Sequence, residues 1–166
     1  MFLQYFKIKR NNYKKQSLSI YQEIVNHSNH FIKNSLNDKD FNFDEVFEIF
    51  SIITVFYLKK LKDENTQINN VISQSIIDSF INDLDQNFRE KGIGDMSIGK
   101  YVKKYVKKFY YRLSIIDKNL DNSNFDELSL FLKNLDFINN DHLDEVLKKI
   151  YSKYNEIKLE LKNEFI

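Results

Sequence analysis

All three glycines of the chain, Gly92, Gly94 and Gly99, fall within eight residues. Glycine reaches positive φ and lets other groups approach the backbone closely, so such a cluster is either a tight turn or a cradle for a phosphate. The order Gly99-Lys100-Tyr101 lacks the hydroxyl residue that follows lysine in a phosphate loop. The preceding strand that a dinucleotide site needs is also missing from the pattern. Downstream, Lys100, Lys103, Lys104, Lys107, Lys108 and Arg112 form a basic row interleaved with Tyr101, Tyr105 and Phe109. Stacking and phosphate contact from such a row would suit single-stranded nucleic acid. It would equally suit a phospholipid or ribosomal surface. The other reading turns the aromatics to the core and the lysines to water, and helical spacing favours that arrangement. His27 and His30, three apart, reach a metal only with further ligands, because zinc takes about four. Glu23 is the one sequence-near candidate, and surface histidines are the simpler reading. Carboxylates are plentiful but fit helix surfaces, and the chain has no cysteine. No catalytic residue, metal ligand or cofactor site is therefore expected, and the chain is not read as an enzyme.

The elements that position these residues are helical throughout. The 166 residues suffice for one domain with a core. An apolar fraction of 42% with 15% aromatics makes Phe, Tyr, Ile and Leu its substance. No proline interrupts long helices. Basic and acidic residues, 25 and 24, nearly cancel, so net charge gives no reason to expect a polyanionic partner. The longest uncharged apolar stretch, Ile49 to Leu58, is far short of the roughly 20 residues that span a bilayer.

Apolar periodicity predicts six helices. Tyr21, Ile24 and Phe31 mark the first, beginning at Leu18. Asn42 and Glu45 form a capping box for the second, which runs through Phe47, Ile53, Tyr57 and Leu61. Ile72, Ile76, Phe80, Leu84 and Phe88 make an i, i+4 stripe on the third. The fourth carries Ile98, Tyr101, Tyr105 and Phe109. Ser123 with Asp126 and Asp141 with Asp144 open the fifth and sixth. The expected fold is all-α, a single-domain bundle of about six helices with a Gly-rich turn between helices three and four. Residues 1–17 read as a basic N-terminal arm, since the first 22 residues hold no acid. Such an arm is a mitochondrial-type leader, a segment touching anionic lipid, or a solvated tail. Residues 18–166 form the helical domain.

At the turn, Gly92 takes the position just past a helix end, after Arg89 and Glu90. Gly94 and Gly99 continue it, and Asp95 or Ser97 caps the next helix. Asp83 lies late in helix three and Lys104 early in helix four, where the macrodipole disfavours each. Counted outward from the turn they face one another, which predicts that Asp83 pairs with Lys104 or a neighbouring lysine.

The run from Phe80 to Lys100, with Asp83-Leu84-Asp85, Arg89-Glu90 and Gly92-Ile93-Gly94-Asp95-Met96-Ser97-Ile98-Gly99-Lys100, resembles the signature of the ubiquinol-cytochrome c chaperone family. Phe109-Tyr110-Tyr111-Arg112 is similar to its Phe-Tyr-Gly-Arg element, with Tyr111 in place of glycine. Phe47-Glu48 and Leu18 to Val25 resemble earlier blocks. The resemblance spans Leu18 to about Leu120 and is strongest over 80–112. It implies an all-helical assembly chaperone of the cytochrome bc1 complex, in the short bacterial form. The implied client is newly synthesised cytochrome b, and other implied partners are a ribosome or membrane surface and a small partner protein. The implied location is cytoplasmic and peripheral to the inner membrane, or the mitochondrial matrix for an organelle protein. A holding surface needs exposed apolar groups rimmed by charge. The expected contacts are Ile93, Met96, Ile98 and Tyr101, rimmed by Asp95, Lys100, Lys103 and Arg112. The alternative is a nucleic-acid- or ribosome-binding module using the basic face of helix four, although no specific nucleic acid is expected.

Overall fold

The computed structural model describes residues 2–35, 41–64, 66–122, 125–135 and 143–164, with side-chain surroundings for most of those from 13 to 159. They form six helices: α1 (Phe2–Ser35), α2 (Phe43–Asp63), α3 (Gln67–Glu90), α4 (Asp95–Asn122), α5 (Phe125–Lys133) and α6 (Leu143–Glu164). No strand occurs among the described residues, so the chain is all-α. The helices form two compact units, Met1–Glu23 with Leu61–Tyr110 and Ile24–Lys60 with Tyr111–Ile166. The divisions fall inside α1, α2 and α4 rather than in linkers.

In the first unit, α3 supplies the organising stripe. Ile72, Ile76, Phe80, Leu84 and Phe88 are all buried, each one turn from the last. Burying side chains of this size stabilises by about 1.5–3 kcal/mol each before entropy is charged against them. Phe80 meets Phe109 with ring centroids 5.0 Å apart, while Phe88 meets Tyr105 at 5.2 Å and Tyr101 at 5.7 Å. Stepping back along α3 thus steps forward along α4, which makes the two an antiparallel hairpin. On α4 the buried positions are Ile98, Tyr105 and Phe109. α1 joins α3 through polar contacts: the Ser17 and Ser75 hydroxyls lie 2.7 Å apart, and the Tyr21 hydroxyl donates to Asp83 Oδ2 at 2.7 Å.

α3 starts earlier than the polar link read over Asp63 to Asn70. Thr66 is extended, and its side chain accepts from the Asn69 amide. Buried Asn69 in turn donates to the Leu61 carbonyl and to Glu64 Oε2, tying the end of α2 to the start of α3.

The second unit is built on α2. The capping box is present: Glu45 N–H donates to Asn42 Oδ1 at 3.0 Å, and Asn42 N–H donates to Glu45 Oε2 at 2.8 Å. Every residue from Ser51 to Leu61 is buried, so this stretch has no solvent face. Phe56 lies against Tyr154 of α6 at 5.2 Å, and the Tyr57 hydroxyl bonds His27 Nδ1 at 2.9 Å. Leu128 and Leu132 of α5 and Ile150 and Ile157 of α6 complete the apolar interior.

α1 begins at Phe2, so the boundary placed before Leu18 lies inside a helix, and Leu18 itself is exposed. The link at Asn37 to Asp40 and the caps assigned to Ser123, Asp126 and Asp141 lie outside the described residues or side chains.

Candidate functional site

The Gly-rich turn is a closed hydrogen-bonded structure. Gly92 has φ +78°, in the left-handed region where a side chain would be strained. Its N–H donates to the Arg89 carbonyl at 2.9 Å, and the Ile93 N–H donates to the Phe88 carbonyl at 3.0 Å. Those two bonds are the paired ending of a Schellman motif, which satisfies carbonyls that the end of α3 leaves open. Two residues later Gly94 takes up the start of α4. Its carbonyl accepts from Ser97 N–H at 2.8 Å and Ile98 N–H at 3.2 Å. The cap is therefore Gly94 rather than Asp95 or Ser97, and Asp95 becomes the first helical residue. In that position its carboxylate suits the positive end of the helix.

Arg89 ties the two helix ends together. Its guanidinium donates to Asp85 Oδ2 at 2.5 Å on its own helix and to Asp95 Oδ1 across the turn. Hydrogen bonding to Asp85, then to Asp95, raises the arginine above its ordinary value. Glu90, assigned to the same turn, accepts from Gln86 at 3.0 Å.

On this frame the residues read as client contacts separate into two groups. Met96 is fully exposed, with a relative accessibility of 102%, and Tyr101 stays 42% exposed. Asp95, Lys100 and Lys103 are exposed, and Ile93 is half-buried. Gly94 and Gly99 are also exposed, and a methyl group built on either would meet nothing within 4 Å. The turn thus presents an apolar side chain and bare backbone with lysines beside them.

Ile98 and Arg112 do not join them. Ile98 is 2% exposed, because it falls on the α4 face that carries Tyr105 and Phe109, about 160° around the helix from Met96. Arg112 is bound in a fork to Glu48 of α2, with Nε donating to Oε2 at 2.7 Å and Nη2 to Oε1 at 2.6 Å. Both side chains are nearly buried, and the guanidinium also lies 5.7 Å from the Phe131 ring. Arg112 is an internal tie of the second unit rather than a rim residue. The sequence signal for it was Glu48, an acid set among Phe47, Ile49 and Phe50, which requires a cation when buried.

The Asp83–Lys104 pair does not form. Asp83 accepts from Tyr21 of α1, whose phenol is pushed up by burial and by the Asp83 hydrogen bond and charge. The Lys104 ammonium sits 5.8 Å from the centroid of its neighbour Tyr105. Tyr105 and Phe109 are buried, which takes two of the three interleaved aromatics away from any stacking surface. His27 spends Nδ1 on Tyr57, and among the described residues no three metal-ligating side chains stand together.

No curated protein matches the chain. A crystal structure of the Cbp3 homolog from Brucella abortus is similar, with a TM-score of 0.74 and 26% sequence identity. The alignment covers 95% of this chain and 88% of that one. The family model for ubiquinol-cytochrome C chaperone matches residues 36–150. It omits the opening helix and runs beyond Leu120, so the signature extends through α5 into α6. With a match over well more than half its length, the chain belongs to the ubiquinol-cytochrome C chaperone family.

Proposed function

We propose that this chain is an assembly chaperone of the cytochrome bc1 complex that holds newly made cytochrome b at the α3–α4 turn and releases it to the next assembly step. It works at the cytoplasmic face of the membrane into which that client is inserted. The observation that carries the choice of surface is the fully exposed Met96 between two glycines whose side-chain space is open. An unbranched thioether adapts to irregular apolar partners, as a transmembrane segment awaiting its cofactor presents. Gly99 supports the same reading by its cost. An exposed glycine inside a helix is about 1 kcal/mol less favourable than alanine, and nothing inside the fold requires it. Its use lies outside the fold, where a partner can come close to the backbone. Arg89 keeps the platform rigid by bridging Asp85 and Asp95.

The test is site-specific photocrosslinking in cells making cytochrome b. A crosslinker at position 96 is expected to capture cytochrome b, while one at Leu130 or Leu159, exposed apolar residues of α5 and α6, is not. Capture from 130 or 159 with none from 96 would move the client to another surface.

A further inference from the structure

A near-neutral total hides an uneven distribution of charge. The unit made of Met1–Glu23 and Leu61–Tyr110 holds thirteen basic and eight acidic residues, while the other holds twelve and sixteen. Charge asymmetry between parts of a chain points to a charged surface as partner.

Within the basic unit the excess comes from two stretches, Met1–Glu23 with five bases to one acid and the start of α4, where no acid occurs between Asp95 and Asp117. At about 100° per residue, Met96, Lys100, Lys103, Lys107 and Tyr110 fall within an arc of roughly 80°. All five are exposed, and Lys104 stands at the edge of the row. The row is about 21 Å long at a rise of ~1.5 Å per residue. It begins with an apolar side chain, continues through three lysines and ends in a tyrosine that is 46% exposed.

The neighbouring acids are engaged elsewhere. Asp78 accepts from Gln74, Asp83 from Tyr21, Asp85 and Asp95 from Arg89, and Glu90 from Gln86. Lys100, Lys103, Lys104 and Lys107 have no ion pair among the described residues.

We propose that this row docks the protein on a bilayer surface containing anionic phospholipid. The lysines reach headgroup phosphates, with Tyr110 at the interfacial level and Met96, at the far end of the row, left to the client. The same lysines meet nucleic acid less well. Tyr101 faces Phe88, and Tyr110 meets the Phe109 ring edge-on, so the ring faces that would stack bases are partly taken. Arg89 and Arg112, whose forks suit phosphodiesters, are held by carboxylates. Docking does not depend on the identity of the client. Should the client prove to be cytochrome b, the row would lie along the membrane that the client enters.

Flotation of the full chain with vesicles tests it. Binding is expected to phosphatidylcholine mixed with phosphatidylglycerol at three to one, to weaken as salt rises, and to be absent on phosphatidylcholine alone. Lys104→Glu with Lys107→Glu is expected to weaken binding about 30-fold or more, from two lost lysine attractions. Lys104→Arg with Lys107→Arg is expected to retain it. Equal binding to both vesicle types, or unchanged binding by the charge-reversed variant with its helical circular dichroism intact, would overturn the proposal. So would tight salt-sensitive binding of a single-stranded RNA oligomer with none to anionic vesicles. Crosslinking from position 96 in detergent reads client capture separately, so failure of docking and failure of the chaperone reading are told apart.

Discussion

At the scale of single residues, the most consequential feature is the Glu48–Arg112 fork. Two desolvated charges satisfied by two short hydrogen bonds add little net stability over apolar residues of the same size, yet losing one partner is severe. Glu48→Ala is expected to cost about 3–5 kcal/mol in urea unfolding because it strands Arg112. Glu48→Leu with Arg112→Met is expected to recover most of that, and a double-mutant cycle measures the coupling. Tyr21 gives a pH prediction. Its phenol is raised from an ordinary value of 10.0, chiefly by burial and then by Asp83. Burial alone pushes Tyr151 up to about 12. A raised folded value means that the unfolded chain loses its proton first. Stability from both groups is therefore complete below pH 10 and falls as pH rises above it. Tyr21→Phe is expected to flatten that alkaline decline. At neutral pH it costs about 1.5 kcal/mol for the lost hydrogen bond to a carboxylate. Glu48 signals the need for a cation, but in neither pair is the partner's identity readable in the sequence. Asp83 and Tyr21 are 62 positions apart, and Glu48 and Arg112 are 64 apart. Counting along one helix pair, which suggested Lys104 for Asp83, cannot see a third helix.

At the scale of elements, the helices were legible because their interiors are strict. The stripe from Ile72 to Phe88 repeats every four residues and is buried at each step. The Asn42–Glu45 box is a local motif with local geometry. Faces were harder than helices. Ile98 belongs with Tyr105, Phe109 and Ile116, at spacings of seven, four and seven, and all four are buried. The stripe and the exposed contact set both claimed Ile98, and burial assigns it to the stripe. The three glycines also differ from one another. Gly92 is a conformational requirement at φ +78°, so Gly92→Ala is expected to destabilise by about 1 kcal/mol or more. Gly99 is helical with open space around it, so Gly99→Ala is expected to stabilise by up to ~1 kcal/mol while reducing crosslinking of cytochrome b from position 96. Thermal unfolding together with the crosslinking yield checks both halves. A variant more stable and equally active would leave Gly99 without an external role.

At the scale of the whole molecule, fold class and family were legible because both are statements about pattern: six amphipathic segments, no proline, and a long ordered run around the glycines. The total of +1 averages a basic unit with an acidic one, and a net charge cannot show that distribution. Which acids neutralise which bases is fixed by tertiary neighbours, and α3 spends its acids on α1, on its own residues and on the turn. The enclosed stretch of α2 carries a different implication. A helix wetted on one side can loosen by lifting away from its support. Ser51 to Leu61 has no such side, and even Lys59 and Lys60 are shut in. Its amide protons are therefore expected to be among the slowest of the described residues to trade with solvent, released only by events that dismantle everything around them, and hydrogen exchange read by mass spectrometry checks it.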